Sequence, residues 1–251
     1  RRCAAAPPAR SQRSLQPGGG NFVFDQWQGP ALNVWTHLPS GAGPDTPVLV
    51  VMHGQGRNAR DYRDQWVAES ERHGFLIVAP EFAQSEFPGS ESYNLGRRRD
   101  EDGQLRPVEQ WSFSAIEPLF DVVVARLGLS AQRYFLYGHS AGAQFVHRFL
   151  LFTQNARINA AVAANAGWYT LPDRSAPAPF GVGDEPVGDA DLRRWLAQPL
   201  TVLLGTADTD TEQSSLNRTP PAMLQGPHRL SRGRNFFESG RQCAETLDCP
   251  I

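Results

Sequence analysis

The chain contains no lysine: all 24 basic residues among its 251 are arginine. That absence fits GC-rich coding and points to no function. It does give every ion pair a guanidinium with a bidentate option. No apolar stretch is long enough to cross a bilayer, so no membrane-spanning helix is expected. Only three cysteines occur, Cys3, Cys243 and Cys249, in neither a CxxC nor a Cys/His metal pattern. Cys243 and Cys249 could form a small disulfide in an exported protein, or be two unrelated thiols near a C-terminal helix; Cys3 is left odd. The formal net charge of −2 gives no electrostatic reason to expect nucleic acid as a partner. The first twenty residues lack the apolar stretch of a signal peptide. Rich in Ala, Pro, Arg, Ser and Gly, they are expected to be disordered. The protein is then cytoplasmic, or it is periplasmic or secreted with its signal already removed.

What remains, 21–251, has the composition of an ordinary soluble domain: 40% hydrophobic and 20% charged residues over the whole chain. Its length suits one α/β domain. Alternation of Leu32, Val34 and Thr36 with polar neighbours marks a first strand, and apolar runs mark further ones at Val48 to Met52, Phe75 to Ala79, Tyr134 to Tyr137, Ile158 to Ala164 and Leu200 to Leu204. Pro80 is expected to close the strand at Phe75 to Ala79. Helical patterns fall at Asn58 to His73, with Gly74 as the stop, and at Ser114 to Leu127, Ala141 to Phe152 and Arg229 to Thr246. The charge run Arg97–Asp102 reads as a solvated loop. Leu171 to Asp191 reads as a Pro/Gly/Asp-rich excursion. Strands alternating with helices imply a mostly parallel sheet covered on both faces.

The sharpest motif is Gly138-His139-Ser140-Ala141-Gly142, a G-x-S-x-G with a strand before it and an apolar helix after it. The chain must reverse abruptly there, and side chains two residues either side of the serine would collide, so both are glycine. Ser140 is thereby lifted to the carboxyl end of the sheet, at a helix N-terminus that favours developing negative charge. These features suit a nucleophile. Independently, strand Val48 to Met52 runs into His53-Gly54-Gln55-Gly56. Such a loop supplies one backbone N–H of an oxyanion hole, and the residue after the nucleophile supplies the other. The expected donors are Gln55 and Ala141, with His53 fixing the loop.

Strand Leu200 to Leu204 leads into Asp208, where a triad acid belongs; Asp210 competes from two residues on. The base should be a histidine later still. His37, His53 and His73 precede the serine. His139 is expected to face away from the elbow. His147 lies two turns down the helix, roughly 10 Å from Ser140 along the axis. His228 is the one histidine after Asp208, but it precedes the last helix rather than following it. The base is therefore expected beyond residue 251, with His228 as the alternative, and the domain is expected to lack its last strand and helix.

The stretches VVMHGQGRNARDY (from Val50), FLIVAPEF (from Phe75), YNLG with WSF (Tyr93 and Trp111 onward), YGHSAGAQFVHRFL (from Tyr137) and LLGTADTD with QGPHRLSRG (Leu203 and Gln225 onward) resemble the esterase and polyhydroxyalkanoate (PHB) depolymerase-like family of α/β hydrolases. The likeness runs from about Val48 to the C-terminus. It implies the α/β-hydrolase fold, Ser140 as nucleophile, Asp208 as acid, and a histidine in a later segment. The implied reaction is cleavage of a small or polymeric carboxylic ester through an acyl-enzyme, with no metal or organic cofactor needed. Phe82, Tyr93, Trp111, Trp168 and Tyr169 follow strand ends and could line an apolar cleft, or pack loops onto the core. Two other readings use the same residues: an amidase, and a fold-mate that binds a ligand without turnover.

Overall fold

A computed structural model describes residues 16–250. Its frame is a seven-stranded sheet of β1 (Gly18–Phe24), β2 (Leu32–Leu38), β3 (Val48–Met52), β4 (Leu76–Glu81), β5 (Tyr134–His139), β6 (Ile158–Ala164) and β7 (Leu200–Leu203). The spatial order is β1-β2-β4-β3-β5-β6-β7. β1, β2 and β4 pair antiparallel; every other pair is parallel.

The pattern of β3 shows why the sheet is central. Val48, Val50 and Met52 face one large core, shared with α3 (Ile116–Leu127) and α4 (Ala141–Phe152). The alternate residues Leu49 and Val51 face a smaller core with Ala59 and Tyr62 from α1 (Ala59–Gln65) and Trp66 just after it. A strand apolar at every position thus lies between two helix layers, as a parallel sheet requires. Helices α5 (Asp189–Leu196), α6 (Pro220–Leu224) and α7 (Arg229–Leu247) complete the described chain, and none of its helices is long and apolar enough to cross a membrane.

Several expectations change. Gly18–Gly20, assigned to the disordered start, pair with Leu38–Thr36 as the beginning of β1. Three glycines are poor strand formers, so only pairing with β2 reveals that strand. The expected disorder of 1–15, and Cys3 with it, lies outside the described residues. The helix expected over Asn58 to His73 is two, α1 and α2 (Val67–His73), broken at Trp66, whose ring stacks edge-on against Phe75 and Tyr137. Gly74 does close α2, at φ 70°.

Pro80 does not end β4; it pairs opposite Val34. The β3 ladder stops at Val78, so β4 is paired on one side there and tolerates a missing N–H. The run Arg97–Asp102 is not wholly solvated either. Arg98 is buried, and its guanidinium meets Glu185 at 2.7 Å across 87 residues of sequence. Cys243 and Cys249 are free thiols.

Candidate active site

The carboxyl ends of the parallel strands lie along one edge of the sheet, and the segments that follow β3, β4, β5, β6 and β7 meet there. β5 ends at His139, and Ser140 turns the chain into α4 with φ 56° and ψ −115°, a sparsely populated conformation for a residue with a side chain. Two close approaches enforce the turn. A Cβ on Gly138 would fall 2.2 Å from Gly142 O, and one on Gly142 would fall 2.1 Å from Met52 O. Ser140 N–H is anchored at 2.9 Å to Ala164 O, at the end of β6.

The loop after β3 folds beside this turn. His53 is buried and neutral, its pKa pulled down to about 4 by desolvation. Its Nδ1 lies 2.9 Å from Gly54 O, and its Nε2 accepts the Phe82 N–H at 3.0 Å. Tyr93 hydroxyl donates to His53 O at 2.8 Å. Gln55 and Ala141 both line the cleft with Ser140. Ala141 opens α4, so its N–H has no acceptor within the helix.

Tyr62 joins the loop to the elbow. Its hydroxyl lies 2.9 Å from His139 Nδ1 and sits against Gly54, where an added Cβ would fall 2.7 Å from it. His139 therefore does not face away from the site; its ring lines the cleft. Burial holds His139 below the usual histidine range, the Asp208 charge opposes that, and Arg229 adds to it.

The loop after β7 brings in Asp208. Gly205 N–H donates to Asn165 Oδ1 at 2.7 Å, and Leu230 N–H donates to Asp208 O at 3.1 Å, fixing the start of α7 against this loop. The Asp208 carboxylate meets Arg229 Nη1 at 3.3 Å. Asp210 is exposed and accepts the Glu212 N–H at 2.8 Å.

Each described histidine other than His139 is engaged away from Ser140. His37 and His73 pair with Glu71 and Glu69. His147 is buried, with Nδ1 2.9 Å from Ala143 O and Nε2 accepting the Thr170 N–H at 3.1 Å. His228 caps α7, its Nδ1 accepting the Ser231 N–H at 3.2 Å, and its ring is not among the cleft residues.

The cleft over Ser140 measures about 890 Å³ and is walled mostly by polar side chains, among them Asn94, Gln144, Ser215 and Asn217. Arg229 is the one formally charged side chain among its described lining residues. Of the two readings open for the five aromatics, packing of loops onto the core holds for most of them, and they do not together line this cleft. Phe82, Tyr93 and Tyr169 are fully buried core residues, Trp111 lines a different cavity, and only Trp168 borders Ser140's cleft. Position after a strand end does not say which side of a loop faces inward. Among the described residues no group of three or more His, Cys, Asp and Glu is placed to hold a metal.

Sequence reading missed Tyr62, Asn94, Gln144 and Arg229. Gln144 had a local signal, one turn after Ser140 on the same helix. The others come from remote segments and had none.

No model of a known protein family matches the chain. Solved structures do. Poly(aspartic acid) hydrolase-1 from Sphingomonas sp. KT-1 is 47% identical with a TM-score of 0.92, over 94% of this chain and 89% of that one. LpqC, a poly(3-hydroxybutyrate) depolymerase from Bordetella parapertussis, is 38% identical with a TM-score of 0.88, over 94% and 82%. An S-formylglutathione hydrolase from Agrobacterium tumefaciens, 16% identical with a TM-score of 0.57 over 90% and 83%, shares the fold alone. Among curated proteins, the bifunctional acetylxylan esterase/xylanase XynS20E of Neocallimastix patriciarum is 20% identical over 221 residues. That match takes in 81% of this chain and 31% of the enzyme, so the chain spans about a third of that relative's length.

Proposed function

The chain belongs to the esterase and PHB depolymerase-like family of α/β hydrolases, and from that membership we propose that it is a serine hydrolase acting through an acyl-enzyme on Ser140. The observation that carries the reading is the backbone of Ser140. A non-glycine residue at φ 56° is costly to hold, and here two glycine contacts hold it at the floor of an open cleft.

In this mechanism Ser140 Oγ attacks the ester carbonyl while a histidine base takes its proton. The N–H groups of Gln55 and Ala141 receive the oxyanion of the tetrahedral intermediate, each worth on the order of 3 kcal/mol of barrier. Collapse breaks the bond to the alcohol, which leaves with the proton from the base. Water then attacks the acyl-enzyme by the same route and releases the acid. Asp208 orients the base and stabilises it when charged. The base is His228 or a histidine beyond residue 251. The engagement of His228 as a helix cap, away from the cleft, favours the second.

The likeness to a poly(aspartic acid) hydrolase and a poly(3-hydroxybutyrate) depolymerase supports polymeric as well as small substrates, and amides as well as esters. An open, polar cleft suits a chain-like, hydrogen-bonding substrate better than a long aliphatic one.

The test is the intact mass of the protein after reaction with a fluorophosphonate. In a chain that carries its histidine base, a single adduct that disappears in Ser140→Ala is expected. An adduct that persists in that variant sinks the assignment.

A further inference from the structure

Gln144 stands one helical turn after Ser140, and its backbone N–H donates to Ser140 O at 3.1 Å. Its side chain lines the cleft. Gln144 Oε1 accepts from Asn94 Nδ2 at 2.9 Å and from Arg148 Nη1 at 3.2 Å. A guanidinium can only donate, so the Gln144 atom facing Arg148 has to be the carbonyl oxygen. The other end of the amide, its pair of N–H donors, is thereby turned away from Arg148. Nε2 lies beside Gly167 at the cleft wall, where an added Cβ would come within 3.2 Å of it, and it has no hydrogen-bond acceptor among the described residues.

Arg148 is an unusual support for that amide. It is 1% exposed, its Nε donates to Thr170 Oγ1 at 2.8 Å, and its Nη1 also reaches Asn94 O and Gln144 O at 3.2 Å each. It lies 4.3 Å from the ring of Trp168, another cleft residue. No carboxylate lies within ion-pair distance of it among the described residues, and its Nη2 is without a partner. Its charge is offset only at longer range, by Glu91, so a further anion nearby is favoured. Arg148 also polarises the Gln144 amide, strengthening its N–H donors. Arg229 brings a second guanidinium to the wall, itself paired with Asp208 at 3.3 Å, and no acidic side chain is among the described lining residues.

We propose that Gln144, held by Arg148 and Asn94, is a specificity-determining residue that selects short acyl groups ending in a carboxylate. The inference rests on reading Ser140 as the nucleophile. One turn of helix, about 6 Å along the axis, separates Ser140 from Gln144. That offset suits a carboxylate a few atoms from the scissile carbonyl.

Binding is read in Ser140→Ala, where no turnover intrudes. By calorimetry, monomethyl succinate is expected to bind at least about tenfold tighter than methyl butyrate, an uncharged ester of similar length. Gln144→Glu keeps an acceptor for Arg148 and Asn94 but turns a carboxylate oxygen to the cleft; it should bring the ratio to about one or below. Gln144→Met removes the donors without adding charge and should bring it to about one. Equal affinities in the parent, no measurable binding of the half-ester, or a preference that survives both substitutions overturns the proposal. Because no chemistry is involved, an unreactive Ser140 would defeat the hydrolase reading while leaving this result to stand or fall alone.

Discussion

Arg229 Nη1 lies 3.3 Å from Asp208 Oδ1, at the mouth of the cleft that holds Ser140. The acid expected from the sequence is thus joined to a cation that the sequence did not suggest. Asp210, its competitor, sits in an exposed turn and accepts only the Glu212 N–H in the bonds seen here. Asp208→Asn should lower kcat for Ser140-dependent ester hydrolysis by about a thousandfold or more, as removing a triad acid does. Asp210→Asn should change it less than about twofold. The reverse order would move the acid to Asp210.

Tyr62 links the loop after β3 to the residue before Ser140. Tyr62→Phe leaves His139 Nδ1 without its partner and removes the hydroxyl that sits against Gly54, at a cost of about 1–3 kcal/mol in the half-buried setting. The rate of Ser140 labelling by a fluorophosphonate should fall about tenfold, because the loop carries the Gln55 donor. A drop in melting temperature with an unchanged labelling rate would leave Tyr62 a purely structural residue.

His228 separates the two candidates for the base. Its imidazole caps α7 through the Ser231 N–H. His228→Ala should cost about 1 kcal/mol of stability in urea unfolding. It should leave Ser140 labelling unchanged. If labelling collapses while the fold persists, His228 is the base, and no later histidine is needed.

Stability should fall as the solution is acidified from about pH 6.5 to about pH 4, through His53. Its folded-state pKa lies below the unfolded value, so within that window the unfolded chain binds more protons. Its contribution is fully present above the window and is lost as pH falls through it, by about 3 kcal/mol at most. Buried His147 works in the same direction. Unfolding by urea at several pH values should show a shallower slope for His53→Gln than for the parent. Identical slopes would assign the acid sensitivity elsewhere.

A run such as VLVVM announces a buried strand because no polar residue interrupts it, and β3 follows that reading residue for residue. The elbow was equally visible: glycines at 138 and 142 admit backbone approaches that a Cβ would block. What stayed hidden depended on remote partners. Three glycines become a strand only against Leu38–Thr36. Arg98 becomes a buried ion-pair partner only when the loop carrying Glu185 folds over it.

The sequence by itself determined the class of fold and the serine at its centre. Apolar periodicity and glycine sterics are local properties, written in consecutive residues. Tertiary structure alone decided which side chains wall the cleft. It drew Phe82, Tyr93 and Tyr169 into the core and set Asn94, Gln144 and Arg229 around Ser140. It also turned one end of the Gln144 amide toward Arg148. Those outcomes depend on which distant donors and acceptors meet, and no local pattern encodes that meeting.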